Sequence, residues 1–376
     1  MLYRERRSNV DFKPEVAEAF VTDFALLPGS SDAVEEVQRL AKKHKLRLTQ
    51  VNEIAHAIWK TPDVRSKTQV VSLPHKPIAR RIWLALSGAR ERNSTIWLQQ
   101  VKYMRTTHPA AILADKEFTA ADYRSCRHHL EELADAEDAH AMTLLGQLLV
   151  EEKQPERAKE LFEDAISLYQ KQVKPGYTEY LAQVPPWNCL GILSLSENTP
   201  ESLDDAKRAF ATGALKCDDP VSYYCLAKHF EPKHTSTWLK YMTKAAGRGH
   251  TDAMYAVADF YLLAETGEEP GGKLRQLLVA DSKLSRALRW LTESYRKGKG
   301  GPKEVANEWL VVAAEMGHKP SMIRLAENLV EAGKMDAAKR WYEAAASPPQ
   351  TGTEEKWPEL AVQAKRSLQK GMWSRT

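Results

Sequence analysis

One glycine-rich stretch has the spacing of a phosphate-binding loop. Gly267, Gly272 and Lys273 fit the pattern GxxxxGK, in which backbone N–H groups and the lysine hold the phosphates of a nucleotide. The context argues against this chemistry. A helical pattern precedes the stretch, Leu274 stands where a hydroxyl would hold magnesium, and two intervening glutamates would repel phosphate. We therefore predict no nucleotide site here.

A second group contains atoms that bind zinc. Cys225 and His229 are four residues apart on one face of a predicted helix, and His234 follows. No fourth ligand stands at a suitable spacing, so a half-buried cysteine beside a surface histidine is the simpler interpretation. Residues 128–132, with two histidines and two glutamates, are interpreted as a solvated helix face. Since no acid, base and nucleophile converge, we predict a non-enzymatic protein without metal or cofactor.

Cysteine usage and hydropathy limit the compartment. The four cysteines lie far apart, without a CxxC pair: Cys126, Cys189, Cys217 and Cys225. This spacing predicts neither a zinc site nor a disulfide framework and favours a reducing compartment. No stretch approaches the roughly 20 apolar residues of a membrane span, and no apolar segment of a secretion signal occurs near the start. We expect an intracellular protein of the mitochondrial matrix or cytoplasm, not a secreted one.

The net charge of +4 is unevenly distributed. Residues 1–110 carry 19 Lys and Arg against 11 Asp and Glu, which leaves the remainder of the chain acidic. Between residues 64 and 110 there are nine basic residues and a single acidic one, Glu91. A surface of this kind attracts acidic partners.

Aromatic residues are interleaved with this charge, which defines the first candidate interface. Residues 65–105 contain, among others, Arg80, Arg81, Arg90, Arg92, Trp83 and Trp97. Such a composition is compatible with phosphate contacts and base stacking, with an acidic protein, with an anionic membrane surface, or with a solvated face that has no partner. Two further tryptophans, Trp187 after a proline pair and Trp357 before Pro358, fall in predicted loops and are candidate interface anchors.

The elements that carry these residues are predicted to be helices. Apolar residues recur at helical spacing along most of the chain, for example at Ala158, Phe162 and Ala165, whereas strand signals are confined to residues 69–71. Amphipathic helices are expected near Pro14–Leu26, Asp32–Lys45 and Gln50–Lys60, and a last one over Glu359–Lys370. Helix starts are indicated by Thr119 with Asp122, by Ser202 with Asp205, and by Pro155 and Pro302.

A repeated signature organises the second half. Tyr241, Trp309 and Trp341 each precede a pair of alanines by four residues, and Phe210 precedes Ala214 in a degenerate copy. Two copies continue into near-identical segments, residues 249–254 and 317–322, that begin with Gly-His. The aromatic positions are separated by 31, 68 and 32 residues, so the long interval is interpreted as two units, one of them diverged. A period of this length is typical of a solenoid.

This signature resembles the Sel1-like repeat, a relative of the tetratricopeptide repeat, over roughly residues 135–346. The segment Ala141–Tyr169 is more similar to a plain tetratricopeptide helix pair, and an insertion near residues 265–278 interrupts the series. The resemblance implies an adaptor or scaffold that presents a concave surface to protein partners, and it implies no catalytic residue.

We therefore predict an all-α protein whose repeats form a right-handed α-solenoid. Residues 1–110 form a basic helical module, residues 111–346 the Sel1-like or tetratricopeptide-like repeats, and residues 347–376 a linker and a C-terminal capping helix. The predicted function is a scaffold or assembly factor that binds protein subunits of a larger complex. The alternative is an RNA-associated component of an organellar, mitochondrial ribonucleoprotein that uses residues 65–105.

Overall fold

The computed structural model describes the following parts of the chain: residues 13–28, 32–60, 64–65, 70–71, 75–107, 118–171, 184–233, 235–266, 302–348 and 355–369. Seventeen helices and two short strands account for most of these residues, so the predicted all-α class is confirmed. The chain divides into two compact units, Met1–Pro186 and Trp187–Thr376. Within the described part, no helix is both long and apolar enough to cross a membrane.

The first unit contains eight described helices: α1 Pro14–Ala25, α2 Ala33–Lys43, α3 Leu48–Trp59, α4 His75–Gly88, α5 Arg92–Thr107, α6 Ala120–Asp135, α7 Ala139–Glu151 and α8 Pro155–Lys171. The three helices predicted at the N-terminal end are confirmed to within two residues. Asp32, for example, caps α2 by accepting a hydrogen bond of 2.9 Å from the N–H of Val34. Between α3 and α4, β1 (Val64–Arg65) pairs antiparallel with β2 (Val70–Val71), where a strand signal was predicted.

The second unit contains nine described helices: α9 Pro186–Glu197, α10 Pro200–Cys217, α11 Pro220–Phe230, α12 Ser236–Gly247, α13 Thr251–Thr266, α14 Pro302–Glu315, α15 Lys319–Glu331, α16 Met335–Ala346 and α17 Pro358–Gln369. The predicted capping helix is found as α17, which packs on α15 and α16 through buried Ala364. The start predicted at Ser202 is wrong. Thr199 caps α10 by accepting from the N–H of Ser202, because Pro200 suits the first helical position.

Successive helices pack as pairs, α7 with α8, α11 with α12, α13 with α14 and α15 with α16. We call the first helix of a pair its A helix and the second its B helix. The contact within a pair is close. A Cβ atom added at Gly146 of α7 would come within 2.5 Å of the Phe162 ring of α8, so a larger residue at this position would push the two helices apart.

The repeat signature ends α12 and α14 in the predicted way. The N–H of Gly249 donates to Ala246 O and that of His250 donates to Ala245 O, both at 3.0 Å, and Gly249 has φ +95°. These two hydrogen bonds, together with a left-handed residue, form the Schellman motif that ends a helix. Gly317, with φ +87°, repeats the motif after α14. The predicted role of both glycines is confirmed.

The interpretation of the 68-residue interval as two units stays a prediction, because residues 267–301 lie outside the described part of the chain. Tyr241 lies in α12 and Trp309 in α14, and the A helix α13 packs directly against α14. These two helices are therefore one pair, and residues 267–301 stand between its two members in the sequence. The predicted insertion lies in that interval, outside the described residues, as does the GxxxxGK stretch.

The pairing also continues further toward the N-terminus than the signature predicted. Arg90 and Glu137 are left-handed, with φ 64° and 60°, and close the same two-bond stop as the glycines. Neither position is a glycine, so the sequence pattern does not indicate a helix stop there. A buried core joins α4 and α5 to α6 through Phe118, Tyr123 and Cys126, and so runs across the module boundary predicted at residue 110.

The aromatic residue of the signature is less uniform than predicted. Phe210 is fully buried in the core of the second unit, whereas Tyr241, Trp309 and Trp341 are only half-buried against it. The alanines that follow, including Ala245, Ala313 and Ala345, are fully buried. The alanines therefore set the close helix contacts, and the aromatic rings cover their edges.

Candidate functional site

Three arginines of the predicted basic segment pair with acidic residues of their own unit. Arg80 pairs with Asp122, Arg90 with Glu132, and Arg92 with Asp138 through two hydrogen bonds. The three acids belong to α6 and to the residue before α7, so these contacts join α4 and α5 to the next helices. The fold thus brings acidic residues against these three arginines, and their role in binding a partner stays a prediction.

Arg81 is placed differently from the other three arginines. Its guanidinium lies 5.4 Å from the ring centre of Phe24, and no ion pair of Arg81 occurs among the described residues. Glu91, the only acid of the segment, is buried and accepts a 2.7 Å hydrogen bond from the N–H of Ser94. It caps α5 instead of neutralising an arginine.

Trp83 and Trp97 belong to the core of the first unit. They are 0% and 6% exposed, with ring centres 3.7 Å apart. The indole N–H of Trp83 donates to Asn52 Oδ1 at 3.0 Å. The edge of His56 also packs on both rings, and burial lowers the pKa of that imidazole to about 3. Neither tryptophan offers an exposed surface for base stacking or for a partner, because helical periodicity turns both rings inward.

The two predicted loop tryptophans differ from each other. Trp187 is the second residue of α9 and is buried, with its Cδ1 only 2.2 Å from where a Cβ at Gly213 would lie. The expectation of an exposed anchor at this position is wrong. Trp357 lies before α17 and is half-buried, with its ring centre 5.1 Å from that of His318.

The candidate metal ligands do not converge in the described structure. Cys225 is buried, which raises the pKa of its thiol to about 11, while His229 is exposed and His234 lies outside the described residues. The helix face at residues 128–132 is only partly solvated. His129 is buried, and its Nδ1 lies 2.6 Å from the hydroxyl of Thr95.

A feature that the sequence analysis missed links the beginnings of the A helices. We count α5 and α9 as A helices too, because they stand at the corresponding positions. The side chain of the residue before an A helix accepts a hydrogen bond from the N–H of the third helical residue in four cases, Glu91, Asp138, Asp219 and His250, and His318 bonds instead to the hydroxyl of the third residue, Ser321. Three of these caps are also joined to the preceding A helix. Arg92 bonds to Asp138, Asn188 to Asp219 at 3.0 Å, and Asp252 to His318 at 3.0 Å. We call this row of contacts the cap ladder. It fixes the register between successive pairs.

In the second unit, two tyrosine rings contact the two histidines of the cap ladder. Tyr224 stands five residues after the cap of α11, and its ring stacks on His250 with centres 4.2 Å apart. Tyr255 stands at the same position in α13, and its ring centre lies 5.8 Å from that of His318. Both tyrosines are half-buried. The matching residue of α7 in the first unit, Thr143, is buried.

Charged residues surround the two tyrosines. We define the A-helix face as the partly or fully exposed residues of α11, α13 and α15 at and near these positions: Tyr224, Lys228, Tyr255, Asp259, Arg324 and Glu327. Burial, and then the nearby carboxylate of Asp259, raises the pKa of Tyr255. The Nε of Arg324 is buried without a hydrogen-bond partner among the described residues.

The charges on the A-helix face alternate in sign. The ammonium of Lys228 lies 5.4 Å from the ring centre of Tyr224, while Asp259 and Glu327 both act electrostatically on Tyr255. The arrangement offers half-buried aromatic surface together with directed charge. Such a surface suits recognition of a protein segment, since aromatic and charged residues dominate protein interfaces.

The sequence contained a signal for this site. The near-identical segments 249–254 and 317–322 are interpreted from the sequence as packing, but both start with Gly-His, and this histidine contacts the tyrosine ring of the preceding A helix.

Comparisons with known proteins agree with the helix pairs. A tetratricopeptide repeat family model matches residues 139–172, which are α7 and α8, and confirms the predicted tetratricopeptide pair over Ala141–Tyr169. No curated protein matches the chain. Helix pairs of this kind stack into extended surfaces that bind other proteins.

Two solved structures that are similar to this chain are described as Sel1-repeat proteins. A protective antigen of uropathogenic Escherichia coli strains with an SLR fold is 14% identical over 88% of this chain and 68% of its own, with a TM-score of 0.38. A Sel1 repeat protein from Oxalobacter formigenes is 15% identical over 96% and 97%, with a TM-score of 0.34. These TM-scores are too low for either structure to define the arrangement of the helices here.

Proposed function

We propose that this protein is a non-enzymatic scaffold or assembly factor that binds protein subunits of a larger complex through the A-helix face. The observation that carries the proposal is the repeated position of Tyr224 and Tyr255. Each ring lies on the capping histidine of the next A helix and remains half-exposed.

Rings fixed in this way are suited to binding. An aromatic side chain that is held before the partner arrives loses little conformational freedom on association, which favours affinity. The charges one helical turn further on, at Lys228, Asp259 and Glu327, would select the partner and orient it. A partner segment that crosses the A-helix face would meet a positive side chain on α11 and negative ones on α13 and α15.

The ribonucleoprotein alternative has less support. It depended on open positive charge and exposed aromatic rings at residues 65–105. Arg80, Arg90 and Arg92 are engaged by acids of the same unit, and Trp83 and Trp97 are buried. We therefore place the binding surface on the second unit.

We infer an intracellular, reducing compartment for this activity. All four cysteines are free thiols: Cys126, Cys189, Cys217 and Cys225. Three of them are buried in helix packing, where a disulfide would require the helices to separate.

Charge reversal on the A-helix face tests the proposal. A triple variant Lys228→Glu, Asp259→Lys and Glu327→Lys should keep its thermal stability and lose the partners of the parent chain. The measurement is quantitative crosslinking mass spectrometry on tagged chain recovered from its own cells. Crosslinks from α11, α13 and α15 should fall at least tenfold, since reversed charges at an interface repel the former partner.

The control carries the same charge changes on exposed positions of α10 and α14, Lys207→Glu, Asp204→Lys and Glu308→Lys. It should keep the parental crosslinks. Equal loss in both variants, or no loss in the A-helix variant, would remove the A-helix face as the binding surface. Parental crosslinks that disappear on nuclease treatment would instead restore the RNA alternative.

A further inference from the structure

A buried lysine at the start of α15 depends on the C-terminal segment for its counterion. The side chain of Lys319 is 7% exposed. Its Nζ donates to Ser347 O at 2.8 Å and to Glu355 Oε2 at 2.5 Å. Among the described residues, Glu355 is the only carboxylate within salt-bridge distance of this ammonium. A buried ammonium without a partner is strongly unfavourable, so this position requires an acidic group.

The next two residues of the segment meet complementary groups on α13 and before α15. Lys356 Nζ lies 3.8 Å from Asp252 Oδ2. The ring of Trp357 stands edge-to-face on His318, with centres 5.1 Å apart. His318 is itself held by Ser321 at 2.7 Å and by Asp252 at 3.0 Å. An acidic, a basic and an aromatic residue in succession are thus each matched by one receptor group.

Burial is unequal on the two sides of this contact. The receptor residues His318 and Lys319 are buried, whereas Glu355 and Trp357 are half-buried and Lys356 is exposed. The helix that follows is anchored separately, because Ala364 of α17 is buried against α15 and α16 with Leu360 and Leu368 beside it. The three residues therefore lie on a formed cradle as a ligand would, and α17 does not depend on them for its own packing.

We propose that Asp252, His318 and Lys319 form a recognition site for an acidic-basic-tryptophan motif, which the chain's own Glu355–Lys356–Trp357 occupies. A partner segment of this chemistry binds by displacing the internal motif. The site lies at the cap ladder, and the proposal goes beyond the A-helix face and does not depend on it. The internal motif competes at an effective concentration on the order of mM, so it weakens binding of any free segment.

The test uses the full chain and a fluorescein-labelled peptide with the sequence of residues 352–359. Fluorescence anisotropy measures its Kd for the parent chain and for a variant with an emptied cradle, Glu355→Gln with Trp357→Ala. We expect the emptied variant to bind at least tenfold more tightly than the parent. Adding Lys319→Met to that variant should abolish binding, and a peptide with lysine in place of Glu355 should not bind.

A second readout requires no substitution, and it decides the matter if the emptied variant does not fold. Hydrogen exchange on the parent chain follows the N–H of Trp357, which donates to Glu355 Oε1 at 2.9 Å, and that of Ala361, which donates to Trp357 O at 3.1 Å. Millimolar peptide should speed exchange at Trp357 several-fold. Unchanged exchange in the parent, or no binding by a folded emptied variant, would overturn the proposal and leave the segment as a structural cap. Charge reversal on the A-helix face should not alter either readout, so failure here is distinct from failure of the scaffold proposal.

Discussion

The imidazole of His318 lies 3.0 Å from the carboxylate of Asp252, although the two residues are 66 positions apart in the sequence. His318 immediately precedes α15, and Asp252 belongs to the first turn of α13, the preceding A helix. The contact joins α13 and α15, although residues 267–301 stand between them in the sequence. It fixes the register of these two A helices, which sequence spacing alone could not do.

This contact predicts acid sensitivity. The hydrogen bond from His318, and then the charge of Lys356, lower the pKa of Asp252 from 3.8 to about 2. Because the folded pKa is depressed, the stabilisation is fully present above pH 3.8 and is lost as the pH falls through about 2. Asp252 is 36% exposed, so solvent screening reduces the contribution to about 1 kcal/mol. Urea unfolding between pH 5 and pH 2 should show this loss in the parent and not in Asp252→Asn. Asp204→Asn, at an exposed position of α10, should follow the parent.

Substitution by alanine is predicted to have opposite effects at a left-handed glycine and at a helical glycine. Gly317 has φ +87°, and a Cβ there would meet no atom within 4 Å, so Gly317→Ala changes only the backbone energy and should destabilise by about 1 kcal/mol. Gly247 is helical and equally uncrowded, so Gly247→Ala should stabilise by up to about 1 kcal/mol. Differential scanning calorimetry measures both. A stabilising Gly317→Ala would contradict the Schellman assignment.

Lys153 is a non-glycine residue at a left-handed position, with φ 62°, and is exposed in the turn between α7 and α8. Lys153→Gly should raise the free energy of unfolding by a few tenths to about 1 kcal/mol, since glycine has no Cβ to strain in this conformation. Lys159→Gly, within helix α8, serves as the control and should lower it by a similar amount.

Burial predicts how the signature aromatics rank. Phe210 is 0% exposed and its ring fits against Gly191, where an added Cβ would lie 2.5 Å away. Phe210→Ala should therefore cost about 3–5 kcal/mol. Trp309 is half-buried, so Trp309→Ala should cost less, about 1–3 kcal/mol. Chemical denaturation gives both values. A larger loss for Trp309 would mean that the aromatic ring, and not the alanine pair, dominates packing between units.

The ion pair between Arg92 and Asp138 predicts an effect on stability, whereas the ribonucleoprotein alternative predicted an effect of Arg92 on RNA binding. Asp138 accepts from Arg92 at 2.9 Å and also caps α7 through the N–H of Ala141 at 3.0 Å. A double-mutant cycle with Arg92→Ala and Asp138→Ala should give a coupling energy of about 1 kcal/mol that shrinks in about 1 M salt. Asp138→Ala should cost more than Arg92→Ala, because it also removes the cap. A coupling energy near zero would mean that Arg92 is free to meet another partner.

Local features of the fold were predictable from the sequence. The N-terminal helices, the capping box at Thr119 and the stops at Gly249 and Gly317 follow from patterns that act over a few residues. The left-handed helix stops at Arg90, after α4, and at Glu137, after α6, were not predicted, because neither position is a glycine. Trp83 lies within α4 and Trp357 lies before α17, but only packing decides which of them is buried.

The sequence by itself determined the helical class, the repeat signature and the tetratricopeptide pair over Ala141–Tyr169, because backbone propensity and apolar periodicity are local properties. Only the tertiary structure decided which charges remain open. It placed Asp122, Glu132 and Asp138 against the basic segment, and it joined Asp252 to His318 and Glu355 to Lys319. These partners are between 36 and 66 residues apart in sequence, and a charge is neutralised by what lies beside it in space, which no local pattern records.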